Sequence, residues 1–394
     1  MTQPVCETLK NPERWFEKAK ELTPEKMKAA LDAALLRIDH GMELYKGGVF
    51  PSATTDPLYI YPETENKGWT EGFWSGMLWL AYQLTGQQKY RTAAEETVAS
   101  FIDRMDKQIN VHFHDMGFLY GLSCVMAYEI TGDERAKEYA LKSADNLADR
   151  FQEKGQFIQA WGEMNAPDNY RLIIDCLMNL PLLFWATEQT GKQRYTEIAK
   201  IHLDTTLETI IRPDGTTFHT FFFDPETGAR AKGVTAQGYA DDSCWARGQS
   251  WAVYGLMMDF ERMGDYSKLP YWYSVTNVFL NRSPSDLIAY WDLIFTDGSG
   301  HPRDTSASAI AACGLMRAKP EFENYELYQA AAKALICSLI DNYTTAQGEE
   351  STALLSDGIC HWKRVPTPEG TIFGDYYYLE ALAKYIKPDV ILFR

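Results

Sequence analysis

The sequence predicts an all-α fold, an (α/α)6 barrel of six inner and six outer helices. Three observations carry this. A unit made of an apolar helix, a Gly turn and an amphipathic helix recurs along the chain. Inner and outer helices tally six each once the lone helices at either end are paired. The spacing between units grows only in the connections that lead from an outer helix to the next inner one.

The first element is a lone amphipathic helix over about 24–45, preceded by residues 1–23 as an N-terminal extension. Then come three units, "GFWSGMLWLAYQLTG…" from Gly72, "MGFLYGLSCVMAYEITG…" from Met116 and "DCLMNLPLLFWATEQTG…" from Asp175. In each, a nearly all-apolar helix is one that must be buried, and the polar-striped helix after it faces water. The Gly between them stands where a helix C-cap favours one. Two looser units start at Ala246 and Asp304, and a last apolar helix starts at Gly374. The terminal half-units close the ring on each other, so residues 1–394 read as one domain.

The turn glycines Gly86, Gly132, Gly191 and Gly264 lie 46, 59 and 73 residues apart. The added length falls in the connections 42–70, 152–171, 210–244, 284–303 and 342–373, which all open at one end of the barrel. Long loops on one rim of a rigid scaffold are where a binding site is expected. The inner helices run parallel, so their N-termini point at that rim and favour an anion there.

Composition narrows the function. The net charge of −16 argues against nucleic acid and anionic membranes as partners. No stretch approaches the roughly 20 apolar residues of a membrane span. The polar N-terminus lacks the order of a secretory signal. Seven cysteines, several inside apolar helical patterns, read as buried reduced thiols. These features place the chain in the cytoplasm. No Cys/His ligand spacing and no Gly-rich phosphate loop is present, so neither a metal nor another cofactor is expected. Eleven Trp and 23 Tyr are an unusual number; most of them must form a large aromatic core, and sugar clefts also use such rings as stacking faces.

Two carboxylates stand at the rim. Asp115 begins the second inner helix and Asp175 the third, and adjacent inner helices bring their first turns together. Paired carboxylates are the usual means of moving protons to and from a sugar. Helix capping is the alternative for both, and it is the reading adopted for Asp304 and Asp375, which also precede inner helices. The histidines flanking Asp115 favour function there.

The stretches "HDMGFLY" (114–120), "IIDCLMN" (173–179), "AQGYADDSCWARGQSW" (236–251) and "GDYYYLEAL" (374–382) resemble the unsaturated glucuronyl hydrolases of glycoside hydrolase family 88. The resemblance spans residues 60 to 385. It implies the same barrel and activity on Δ4,5-unsaturated uronyl disaccharides left by polysaccharide lyases, of the glycosaminoglycan type. The implied reaction hydrates the C4=C5 vinyl ether. Asp175 would be the general acid/base. Asp115 would hold the sugar and rest ionised, stabilising positive charge.

By the same resemblance Trp69, Trp161 and Trp251 would be stacking walls, with core packing an equal alternative for Trp161. His219 and Gln237 would meet the uronate ring, Arg247 its carboxylate side, and Tyr376 would offer a rim hydroxyl. An ion pair with Asp241 or Asp242 is the alternative for Arg247. Family members that favour sulfated disaccharides carry Ser-x-x-Ser-x-Lys in the last long loop. Here that loop reads "CHWKRVPTPEG" (360–370), in which Lys363 and Arg364 keep positive charge without the pattern. Three alternatives share the barrel: unsaturated rhamnogalacturonyl hydrolases, sugar 2-epimerases working with paired histidines, and a non-catalytic sugar-binding protein. For the second, His112 and His114 are the only close pair, and strand-like spacing would aim them the same way.

Overall fold

A computed structural model describes residues 3–345 and 350–393. Residues 1–2, 346–349 and 394 lie outside them. The short helix α1 (Glu13–Ala19) precedes α2 (Pro24–Leu44), the first outer helix. Then inner and outer helices alternate: α3 (Glu71–Thr85) and α4 (Gln88–Asp106); a π-helical turn, Gly117–Val125, running into α5 (Met126–Thr131), and α6 (Glu134–Ala148). A 3-10 segment, Ile174–Met178, leads into α7 (Pro181–Thr190), followed by α8 (Gln193–Thr209). The ring is completed by α9 (Ala246–Met263), α10 (Leu269–Arg282), α11 (Thr305–Leu315), α12 (Tyr325–Asn342) and the inner α13 (Ile372–Ile386). Among the described residues this makes six inner and six outer helices, as the repeat predicts. α13 packs between α11 and α3 and against α2, which closes the ring.

The Gly turns behave as their positions predict. Gly86, Gly132, Gly191 and Gly264 each end a helix at φ between 62° and 74°. A side chain there would be strained, so Gly stops the inner helix and lets the chain reverse. The inner helices supply the core: Trp79, Trp185 and Trp251 are almost wholly buried. The N-terminal segment is docked on the barrel. Trp15 is buried, and the Arg14 guanidinium donates to the carbonyls of Leu280, Ser283 and Pro284.

Strands are few and lie in the rim connections. β1 (Val49–Pro51) pairs with β2 (Glu63–Glu65), and β3 (Phe151–Gln152) with β4 (Phe157–Ile158). β5 (Arg171–Ile173), β6 (Thr220–Phe223) and β7 (Arg230–Val234) form a small antiparallel sheet. This sheet ties the second connection to the third and carries residues of the cleft.

Candidate active site

A cleft of about 490 Å³ opens at the loop-bearing rim. Connections 42–70, 152–171, 210–244 and 342–373 contribute to its wall, whereas 284–303 does not line it. The floor is built where two inner helices begin irregularly. The π-helical turn follows Asp115, and the 3-10 segment contains Asp175. Departures from α geometry of this kind are frequent at functional sites.

Asn179 joins the two helix starts. Its Oδ1 accepts from the Phe118 backbone N–H at 3.0 Å, and its Nδ2 donates to the Asp175 carbonyl at 3.1 Å. The same side chain hydrogen-bonds the Asp115 carboxylate. A carboxylate oxygen from each Asp and a ring nitrogen of His114 lie within 4.8 Å of one another. His114 Nε2 stands 3.4 Å from Asp115 and 3.5 Å from Asp175. One oxygen of each Asp and both His114 ring nitrogens lack a hydrogen-bond partner. Buried polar atoms are nearly always paired, so such a group of orphans marks where a ligand's polar atoms fit.

The electrostatics follow from burial. Burial pushes the Asp175 carboxyl up to about 7. Burial, and then the neighbouring Asp175 charge, hold Asp115 well above the usual carboxylate range, against the Asn179 hydrogen bond. Two negative charges this close in a dry site repel, so the pair retains protons near neutral pH. The expectation that Asp115 rests ionised therefore does not fit its burial beside Asp175. The two differ in access: the Asp175 side chain is 18% exposed and that of Asp115 only 1%. Burial also holds His114 well below its ordinary value, so its ring is neutral.

These three side chains are also the ones a cation would meet here. A second such group, Glu21, Cys337 and Asp341, is already engaged by Lys18 and Lys26.

The walls carry most of the side chains named from the sequence. Trp69, half-buried, stacks on Phe373 with ring centroids 5.5 Å apart. Trp161 stacks on Phe113 at 4.8 Å and also lines the cleft, so it is a wall and not core. Trp251 is buried against Phe118 and Tyr377, yet reaches the cleft. His219 Nδ1 accepts from the Ala236 N–H at 3.1 Å, which places its proton on Nε2. Burial pushes that imidazole down to about 3, so it is a neutral donor. Gln237 Oε1 accepts from Arg247 at 2.7 Å, which fixes the amide orientation.

Three expectations need correction. Arg247 is buried in the cleft wall, and both terminal nitrogens of its fork are already spent, leaving only Nε without a partner. It donates to Asp304 at 2.9 Å, to Gln237, and to the carbonyls of Ile359 and Cys360. Its partner is thus Asp304, neither Asp241 nor Asp242, and no free fork faces a carboxylate. Tyr376 is fully buried near the start of α13, where its ring edge fills the space left by Gly76, so it is no rim hydroxyl. Lys363 is exposed and does not line the cleft, whereas Arg364 does.

The capping assignments also change. Asp304 does cap α11 at the Ser306 N–H, but it is also the ion-pair partner of Arg247. Asp375 lies inside the first turn of α13. It accepts from the N–H groups of Leu354 and Leu355 and from the Tyr61 hydroxyl, pinning the last connection. His112 is exposed on Gln108 while His114 is buried, because the segment turns and is not extended. The paired-histidine arrangement of an epimerase is therefore not formed.

Arg171, His361 and Trp245 line the cleft without having been singled out in the sequence. Arg171 had a signal. Residues 171, 173 and 175 all face the cleft, an extended period of two running into Asp175. Its Nε is buried without a partner.

Comparison with known proteins agrees with this architecture. The family model for Glycosyl Hydrolase Family 88 matches residues 50–387. An unsaturated chondroitin disaccharide hydrolase of Streptococcus pneumoniae is 46% identical over 97% of each chain. An unsaturated glucuronyl hydrolase of Bacillus sp. strain GL1 is 41% identical over 86% of this chain and 91% of its own. The crystal structure of an unsaturated glucuronyl hydrolase from Streptococcus agalactiae superposes with a TM-score of 0.96 at 43% identity, covering 100% of both chains. With the barrel, the paired carboxylates and this full-length likeness in hand, the chain belongs to glycoside hydrolase family 88.

Proposed function

We propose that this chain hydrolyses Δ4,5-unsaturated uronyl disaccharides and short oligosaccharides of the glycosaminoglycan type, with Asp175 as general acid/base and Asp115 as its partner. The observation that carries this is the buried carboxyl pair at the cleft floor, of which Asp175 is the more exposed and has its carboxyl raised to about 7. An acid near neutrality can both hold and release its proton at working pH. The relatives point to the same substrates. One is named a chondroitin disaccharide hydrolase, and a variant of the Streptococcus agalactiae enzyme, 39% identical to this chain, was crystallised with dGlcA-GalNAc6S.

In this reading Asp175 gives its proton to C4 of the vinyl ether. Positive charge develops at C5–O5, facing a carboxyl pair that has just become more negative. Asp115 holds the sugar hydroxyls and shares that charge. Water adds at C5 and loses its proton to Asp175, which restores the acid. The hemiketal at C5 opens, and the C1 hemiacetal so formed releases the aglycone. His219 and Gln237 donate to the ring, while Arg171 and Arg364 supply positive charge toward the uronate and its neighbour. No step needs a metal or another cofactor, because the raised acid itself supplies the proton.

Among the described residues no helix is long and apolar enough to cross a membrane. We place the enzyme in the cytoplasm, without nucleic-acid or membrane partners. Support comes from the acidic charge and from seven unpaired cysteines, five of them buried. The test of function is direct. Incubation with an unsaturated chondroitin or hyaluronan disaccharide should abolish the ultraviolet absorbance of its C=C bond. Unchanged absorbance across such a panel would refute the reading.

A further inference from the structure

Connection 284–303 sits between two longer rim connections yet lines none of the cleft. Instead it builds a patch of rings beside the mouth. His301 stacks on Phe295 with centroids 3.5 Å apart and planes 14° apart. Trp362 stacks on the buried Trp291 at 5.8 Å, and Tyr239 meets Phe295 edge-on at 5.3 Å. Tyr239 is 52% exposed, and Phe295, His301 and Trp362 are half-buried. A core has no use for rings left partly in water at this density.

The patch is continuous with the cleft. Tyr239 follows Gln237 by two residues, and Trp362 lies between His361 and Arg364, all three of these neighbours being wall residues. It is also rigidly tied to that wall. Buried Asp292 accepts from the Tyr239 N–H at 2.8 Å and from the Ser243 hydroxyl at 2.6 Å, and its backbone bridges Trp245. Lys363 stands exposed next to Trp362.

We infer that this aromatic patch is an outer subsite for the second and third sugars beyond the unsaturated residue of a longer chain. The inference rests on the function proposed above. An unsaturated uronate is a non-reducing end, so with that ring on the cleft floor every further sugar must leave through the mouth. Sugar C–H faces stack on aromatic rings, and Lys363 suits the acidic residues of a uronate-containing chain.

The test uses the whole enzyme and two unsulfated substrates of one repeat, the unsaturated disaccharide and the unsaturated tetrasaccharide. The wild type is expected to show a lower KM for the tetrasaccharide. Tyr239→Ala should reduce kcat/KM for the tetrasaccharide by about 3- to 10-fold, the scale of one lost ring contact, while the disaccharide value stays within about twofold. Tyr239→Phe, which keeps the ring, should retain the preference. Equal KM for both lengths in the wild type, or a preference that survives Tyr239→Ala, would overturn the outer subsite while leaving the hydrolase reading intact. A dimer that Tyr239→Ala dissociates would also overturn it, since a second copy would then be what covers the rings. Turnover of neither substrate would remove the hydrolase reading and the subsite together.

Discussion

Gly117 and Asn179 touch so closely that a Cβ added to Gly117 would lie 2.7 Å from the Asn179 Cα. That contact brings two inner helices together where Asp115 and Asp175 must meet. Asn179 then ties the helix starts by hydrogen bonds to Phe118 and Asp175. Gly117→Ala should therefore push the two starts apart. We expect kcat to fall by 10-fold or more, with a modest loss in melting temperature, read by single-substrate kinetics and thermal unfolding. Wild-type turnover would show that the close approach does not position the pair.

The carboxyl pair is tested by Asn, which keeps shape and capping ability but cannot give up a proton. Asp115→Asn and Asp175→Asn should each lower turnover by roughly 10²- to 10⁴-fold. Asp133 is a suitable control: it caps α6 at the surface, accepting from the N–H groups of Arg135 and Ala136. Asp133→Asn should leave the rate near wild type, because Asn caps about as well as Asp. Equal, small effects at all three positions would return Asp115 and Asp175 to a capping role.

Asp304→Asn is expected to behave differently from a simple cap change. The residue is fully buried and paired with the Arg247 guanidinium at 2.9 Å. Removing one partner strands a buried charge, a loss of about 3–5 kcal/mol in comparable pairs. Thermal unfolding should show a large drop, and KM should rise as Gln237, held by Arg247, loses its orientation. A melting temperature unchanged from wild type would argue that the pair is solvated.

The raised acids predict opposite pH trends for stability and for the Asn variant. Asp175 is pushed from 3.8 up to about 7 in the native chain. Between about pH 4 and pH 7 the native state therefore holds more protons at this site than the unfolded state. Stability from this group is then lost as pH rises through that window. Asp175→Asn removes the cost, so it should unfold at a higher temperature than wild type at pH 8 and at the same temperature near pH 4. Activity should follow the protonated acid, with kcat/KM falling above about pH 7. A rate that keeps rising to pH 9 would exclude Asp175 as the proton donor.

The proposed reaction draws its proton from a side chain. Overnight dialysis against a chelator should leave the rate unchanged. Loss of activity that one divalent metal restores would instead make His114, Asp115 and Asp175 a metal centre.

Much of this architecture is written in local pattern. The apolar-helix, Gly, amphipathic-helix unit specifies which helices must be buried and where each turns, because burial and left-handed glycine are decided within a few residues. The positions of Asp115 and Asp175 at inner-helix starts follow from the same repeat, as does the crowding of long connections on one rim. Partnership is different, since it depends on which distant groups the closed ring brings into contact. No local pattern could show that Arg247 would spend its fork on Asp304 and two carbonyls of the last connection, or that Tyr376 would turn inward against Gly76. The same holds for Asp375 pinning residues 354 and 355, and for His114 parting from His112. The carboxyl acidities belong there too: an Asp is an ordinary acid in the chain, and only exclusion of water by the packed barrel, with a second carboxyl alongside, raises it to where it can serve at neutral pH.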